Sequence, residues 1–154
     1  MNTQPPRDLL FELYYSYYLE KMTETLNRRI DKLGCFFQMF LGLVVVVNSA
    51  YGWLCGILIA SMSGFQFSFK PGEVAGHAKN QALKYRQLID EIEKISPDII
   101  AKKRLEIEKE DSPTLSSLFN PARKRAAITL NYPQEKPLTL NEKCFAWMAG
   151  GIPS

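Results

Sequence analysis

Residues 33 to 69 contain no Asp, Glu, Lys, Arg or His, and this property limits the fold of the chain more than any other. A run of about 18 uncharged apolar residues is already long enough to cross a bilayer, and this run is roughly twice that. Its first core holds Phe36, Phe37, Met39, Phe40, Leu41, Leu43 and Val44 to Val47; its second runs from Trp53 to Ala60. A buried helix pair in a soluble domain would show a polar outer face on each helix. Neither half has one, so the sequence places this segment in lipid.

A single helix over the run would be on the order of 55 Å long, against a hydrocarbon core of about 30 Å. Asn48, Ser49, Ala50, Tyr51 and Gly52 supply turn-forming residues midway. The expected fold is therefore an all-α membrane protein: a transmembrane helical hairpin (33–47 and 53–69) with amphipathic cytoplasmic helices before and after it. The expected divisions are a disordered N-terminus (1–6), an amphipathic cytoplasmic helix (7–32), the two-helix hairpin (33–69), a cytoplasmic helical region (70–130) and a Pro/Gly-rich tail of weak order (131–154).

Flanking cations set the orientation. Lys21, Arg28, Arg29 and Lys32 precede the segment; Lys70, Lys79, Lys84 and Arg86 follow it; the turn has none. Positive residues stay on the cytoplasmic side, which predicts a multi-pass protein of the cell inner membrane with both termini cytoplasmic. Tyr51 and Trp53 would then meet the far interface. The opening residues are polar, unlike a cleavable signal, so the apolar segment is expected to persist.

The net charge of +3 is mild and points away from a nucleic-acid partner. Cys35, Cys55 and Cys144 are odd in number and lack metal-ligand spacing, so no metal site or disulfide framework is expected.

Gly52, Gly56, Ala60 and Gly64 recur every four residues and form a ridge of small side chains. Such a ridge lets a second helix approach closely in lipid, whether the first arm or another copy of the chain. Gln38, Ser61, Ser63 and Gln66 are the polar groups of the segment. They suit a modestly polar helix interface or a narrow pore lining. With no ionisable group present, a proton-coupled transporter or charge-selective filter is disfavoured.

Before the segment, Tyr15, Leu19, Met22, Leu26, Ile30 and Leu33 fall on one helix face, and Glu20, Lys21, Glu24, Asn27, Arg28 and Asp31 on the other. Phe11, Tyr14, Tyr15, Tyr17 and Tyr18 form an aromatic cluster, fit either for a membrane surface or neighbouring subunit or for the chain's own later helices. After the segment, a helix over 73–95 is expected, with Ala75, Ala78, Ala82, Tyr85, Ile89 and Ile92 as a cytoplasmic seam. That seam packs most simply on the N-terminal helix. Ser96, Pro97 and Asp98 read as a helix start, and the charged helix that follows as a solvated one ending near Asp111. Asn120 and Pro121 are expected to cap a short helix whose Arg123, Lys124 and Arg125 meet lipid headgroups or plain solvent. In the tail, Phe145, Trp147 and Met148 form a small apolar cluster, expected on the domain or at the membrane interface.

Residue types point away from catalysis and from a cofactor. His77 is the only histidine and has no suitably spaced metal-ligating neighbour; no Gly-x-Ser-x-Gly elbow and no phosphate-binding Gly-x-x-x-x-Gly-Lys loop occurs.

The second apolar arm, Gly56-Ile57-Leu58-Ile59-Ala60, is followed by Phe69-Lys70-Pro71, then His77, Lys84-Tyr85, Leu88 and Glu91-Ile92. This stretch resembles the second membrane helix and following helix of the SLATT family, two-transmembrane effector domains of bacterial conflict systems. The preceding helix and first arm fit the same layout, and Asp111-Ser112-Pro113 fits loosely, so the resemblance spans roughly residues 7 to 130. The motifs ask mostly for apolar or helical residues, and the short inter-arm turn and Pro-rich tail depart from the pattern. The resemblance implies a membrane effector that oligomerises and permeabilises the cell's own inner membrane when a cytoplasmic sensor partner detects infection. The residues alone leave open a non-pore membrane-anchored adaptor or structural protein of a phage or mobile element.

Overall fold

A computed structural model describes residues 7–47, 49–133 and 137–153. The N-terminal six residues, expected to be disordered, lie outside the described residues, as do Asn48 of the expected turn and residues 134–136 of the tail. The described chain is helical, without a strand.

Helix α1 spans Arg7–Val47, 41 residues. The two segments separated at residue 33 in the sequence reading are therefore one helix. No proline interrupts them, and Gly34 and Gly42 weaken a helix without ending it. At about 1.5 Å per residue, α1 is about 60 Å long. A 3₁₀ turn, Ser49–Tyr51, leads into α2, Gly52–Phe69, about 27 Å long.

Helix α3 follows at once, Pro71–Asp90, ending earlier than the expected 95. Its junction with α2 has a local cause. The Pro71 ring disfavours right-handed helical geometry at the preceding residue, and Lys70 takes the left-handed conformation with φ 44°. The Lys70 amide still donates to the Gln66 carbonyl at 2.9 Å, which closes α2. Helices α2 and α3 thus return along α1 one after the other: Gln66 meets Asp31, Gly72 lies beside the Asp31 carboxylate, and Tyr85 joins Leu13 in one core.

Helix α4, Pro97–Glu108, begins where Ser96 and Pro97 predict, although the Ser96 side chain makes no capping bond. Helix α5, Phe119–Thr129, places Leu118 rather than Asn120 at its cap position. The Asn120 amide instead donates to Glu142 Oε1 at 2.6 Å. The tail is also better ordered than expected: α6 spans Leu140–Met148 behind a complete capping box. Glu142 N donates to Thr139 Oγ1, while Thr139 N donates to Glu142 Oε2. The signature Thr-x-x-Glu was present in the sequence.

The N-terminal half of α1 is buried on two sides. One side, with Met22 and Leu26, packs on Leu118, Ala122, Ala146 and Ala149. The other, with Leu13, receives Tyr85, Leu88, Ile89 and Ile92 of the α3 seam and its turn, and Ile100 of α4. Ala78 and Ala82 of that seam are also buried. Small residues there let α3 approach α1 closely. The N-terminal aromatics meet the chain's own later segments: Phe11 stacks on Tyr132, and the Tyr18 hydroxyl bonds to Thr129 Oγ1.

Thr139→Ala removes the α6 cap. A loss of about 1 kcal/mol local to α6 is expected, read as faster amide exchange over 140–148 with α3 unchanged. Unchanged exchange in α6 would contradict the capping account.

Candidate membrane-spanning pair and the polar cluster beneath it

The apolar half of α1 and the whole of α2 lie side by side and antiparallel. Their contact is polar at the end nearer α3. Gln38 Nε2 donates to Gln66 Oε1 at 2.9 Å and approaches Ser63 Oγ at 3.2 Å. Gln66 Nε2 in turn reaches the Asp31 carbonyl at 3.4 Å and Cys35 Sγ at 3.6 Å. Gly34 makes room for this: a Cβ there would sit 2.7 Å from Gln66 Nε2. Interhelical polar bonds in lipid contribute about 1 kcal/mol each. Three of the four polar candidates, Gln38, Ser63 and Gln66, therefore join the two arms. Ser61 turns back to its own helix and donates to the Ile57 carbonyl at 2.8 Å.

The small-residue ridge faces elsewhere. Gly52 approaches α1, with its hypothetical Cβ 3.9 Å from Val45 Cγ1, but Gly56 and Gly64 meet nothing within 4 Å and Ala60 is exposed. Within the pair, only Cys55 of α2 is buried.

The outer surface of the pair is bare. Met39, Val46, Val47, Trp53 and Phe67 are each at least 70% exposed. The apolar window of the first arm is 0% buried and that of the second 6%. A core helix of a soluble protein would be mostly buried; here the protein covers almost none of either. Both helices are long and apolar enough to cross a membrane.

Below the pair lies a buried polar cluster that the sequence reading missed. Glu20 and Glu24, placed there on the polar face of α1, are buried, and so is Thr23. Glu20 lies toward the segment after α4 and near His77 of α3. Glu24 is neutralised by Lys21 at 2.9 Å and Arg28 at 2.7 Å. Glu20 Oε1 accepts from the Ser112 amide at 2.8 Å. Gln81 Nε2 donates to the Glu110 carbonyl at 2.6 Å, and the Tyr85 hydroxyl donates to both Asp111 oxygens at 2.9 and 3.0 Å. His77 Nδ1 lies 3.0 Å from Ser112 Oγ. Segment 110–112 is thus clasped between α1 and α3 by side chains. Glu20 Oε2, Thr23 Oγ1 and Gln81 Oε1 find no hydrogen-bond partner among the described residues, so the cluster is under-satisfied and costly to bury.

Gln81 carried a legible signal: it shares the α3 face of Ala78, Ala82 and Tyr85. Nothing in the sequence marked Glu20 as its neighbour. The basic run of α5 is split rather than continuous. Arg125 is half-buried and donates to the Gly151 carbonyl at 2.7 Å, while Arg123 and Lys124 line a cleft of about 400 Å³ with Asp8, Phe11 and Tyr132. Among the described residues no group of three or more His, Cys, Asp or Glu is placed to hold a metal ion.

Burial raises the Asp111 carboxyl from 3.8 to about 6, with Glu20 and Glu108 adding and the Tyr85 hydroxyl and Arg104 opposing. Burial also raises Glu20, against the Ser112 bonds and His77. The unfolded chain releases the Asp111 proton near pH 4 and the folded chain near pH 6. Native protein holds the extra proton between, so stability from this group falls as pH climbs through that window and levels off above it. Asp111→Asn removes that decline while leaving Tyr85 an acceptor. The melting temperature of the variant in detergent should gain on wild type as pH rises from about 4 to about 6. Parallel pH profiles would contradict the assignment.

No family model, curated protein or solved structure matches the chain.

Proposed function

We propose that the chain is a bacterial inner-membrane effector whose two arms form a transmembrane hairpin, and whose copies assemble to permeabilise the bilayer. The observation that carries the membrane part is the near-total exposure of both apolar windows. Soluble monomers rarely expose contiguous apolar patches above a few hundred Å². Lipid supplies the missing apolar surroundings, and helices alone satisfy their backbone there. The cations flanking the stretch put both termini in the cytoplasm. The uncharged stretch of α1 covers fifteen residues, about 22 Å. That is short for a full span, which favours local thinning of the bilayer.

Assembly is supported by the placement of the ridge. Gly56, Ala60 and Gly64 are exposed and not consumed by packing within the pair. Gln38, Ser63 and Gln66 are taken up between the arms of one copy, so a pore would be built from several copies. The cytoplasmic helices would hold the assembly inactive or receive a sensor protein. The resemblance to SLATT domains supplies the effector role.

The second reading is a membrane-anchored adaptor or structural protein of phage or mobile-element origin, favoured by the well-packed cytoplasmic bundle around α1. There the hairpin is only an anchor. Replacing it with an unrelated anchor separates the two: an adaptor keeps working, a pore does not.

Production in cells with a membrane-potential dye tests the effector directly. Depolarisation and growth arrest are expected. Gly56→Ile and Gly64→Ile should weaken both, because a Cβ at either position meets nothing within 4 Å in one copy and the added bulk falls on the proposed assembly face. An unchanged potential with the protein confirmed in the membrane would overturn the pore, and undiminished toxicity of the double variant with unchanged oligomer size would overturn the ridge.

A further inference from the structure

We infer that the C-terminal end of α6 docks on the lipid headgroup layer, with Trp147 as its anchor. This rests on the membrane placement of the arms proposed above.

The position of α6 is fixed by Arg29. Its Nη1 donates to the Trp147 carbonyl at 3.0 Å and the Met148 carbonyl at 2.9 Å. A cation at the last carbonyls of a helix satisfies groups that have no intrahelical partner. Arg29 lies four residues before Leu33, about 6 Å along α1. The end of α6 is therefore held about one helical turn from the uncharged stretch. Beyond it the chain retreats: Gly150 and Gly151 both have φ 112°, Gly150 passes Thr25, and the Gly151 carbonyl accepts from Arg125.

The tail's apolar cluster divides at this point. Phe145 and Met148 pack against the core cluster that includes Met22 and Leu26. Trp147 stays 67% exposed, and its indole has no hydrogen bond or ring contact among the described residues. An indole has an apolar body and one N–H donor, which suits the boundary between acyl chains and headgroup oxygens. Charge agrees. Arg28, Lys32 and Lys70 are exposed at the same cytoplasmic edge, where anionic headgroups attract cations. The Arg29 contact holds this indole beside the uncharged stretch, among exposed cations, so the partner is the anionic bilayer surface.

The chain has two tryptophans, which permits a direct test. Trp53→Phe leaves Trp147 as the sole indole; Trp147→Phe leaves Trp53 to report on the far end of the arms. The full chain is placed in vesicles of equal parts phosphatidylcholine and phosphatidylglycerol, with acyl chains brominated close to the headgroup. Trp147 should lose most of its emission to the brominated lipid and be shielded from aqueous iodide. Full iodide access with no bromine quenching overturns the anchor. So does shielding from iodide without bromine quenching that grows with protein-to-lipid ratio, which would mean a second copy covers the site. If Trp53 is quenched and Trp147 is not, the anchor alone falls. If neither is quenched, the membrane placement falls with it.

Discussion

Two helices lying side by side cover one stripe of each other and leave the rest of their circumference bare. For most surface helices the remainder is polar. Here it is Phe, Leu, Ile, Val and Trp, and the protein buries almost none of it. At about 25 cal/mol per Å² of apolar surface, leaving such arms in water would offset much of the stability available to a chain of this size. Everything else about the molecule is arranged around a requirement that its own fold does not meet.

The continuous α1 is how that requirement reaches the rest of the chain. One helix carries the bare arm, the Arg29 contact with α6, the core residues Met22 and Leu26, and the buried Glu20. The returning helical segment is broken once, at Lys70 and Pro71, and both halves pack on α1. The polar contacts fall into two levels. At the upper level, Gln38, Ser63 and Gln66 register the arms. At the lower level, Glu20, His77, Gln81 and Tyr85 hold segment 110–112 between α1 and α3. Displacement of that segment would leave the heads of Glu20 and Gln81 without their remaining partners, so the cluster couples α1, α3 and the end of α4 more tightly than its few bonds suggest.

Much of this was legible in the sequence. The uncharged stretch gave both apolar arms, and the spacing of Ala78, Ala82, Tyr85, Ile89 and Ile92 gave the seam that packs on α1. What escaped was set by tertiary contact or by a signal passed over. A periodic pattern names one apolar face, so Glu20 and Glu24, on the second buried side of α1, fell on the opposite, polar face. The boundary at residue 33 marked a change of surroundings, and the backbone has no reason to break there. In the tail, prolines and glycines outweighed Thr139 and Glu142, whose reciprocal bonds set the start of α6. Of the candidate site, the polar groups were found, but their pairing across the arms and the outward face of Gly56 and Gly64 depend on the rotation of α2 about its axis, which spacing alone does not give.

The central claim is that lipid surrounds the bare arms, and alkaline extraction of membranes from producing cells tests it most directly. The chain should remain with the membrane sheets at high pH and be released only by detergent. Recovery in the aqueous supernatant as a compact, folded monomer would contradict the account.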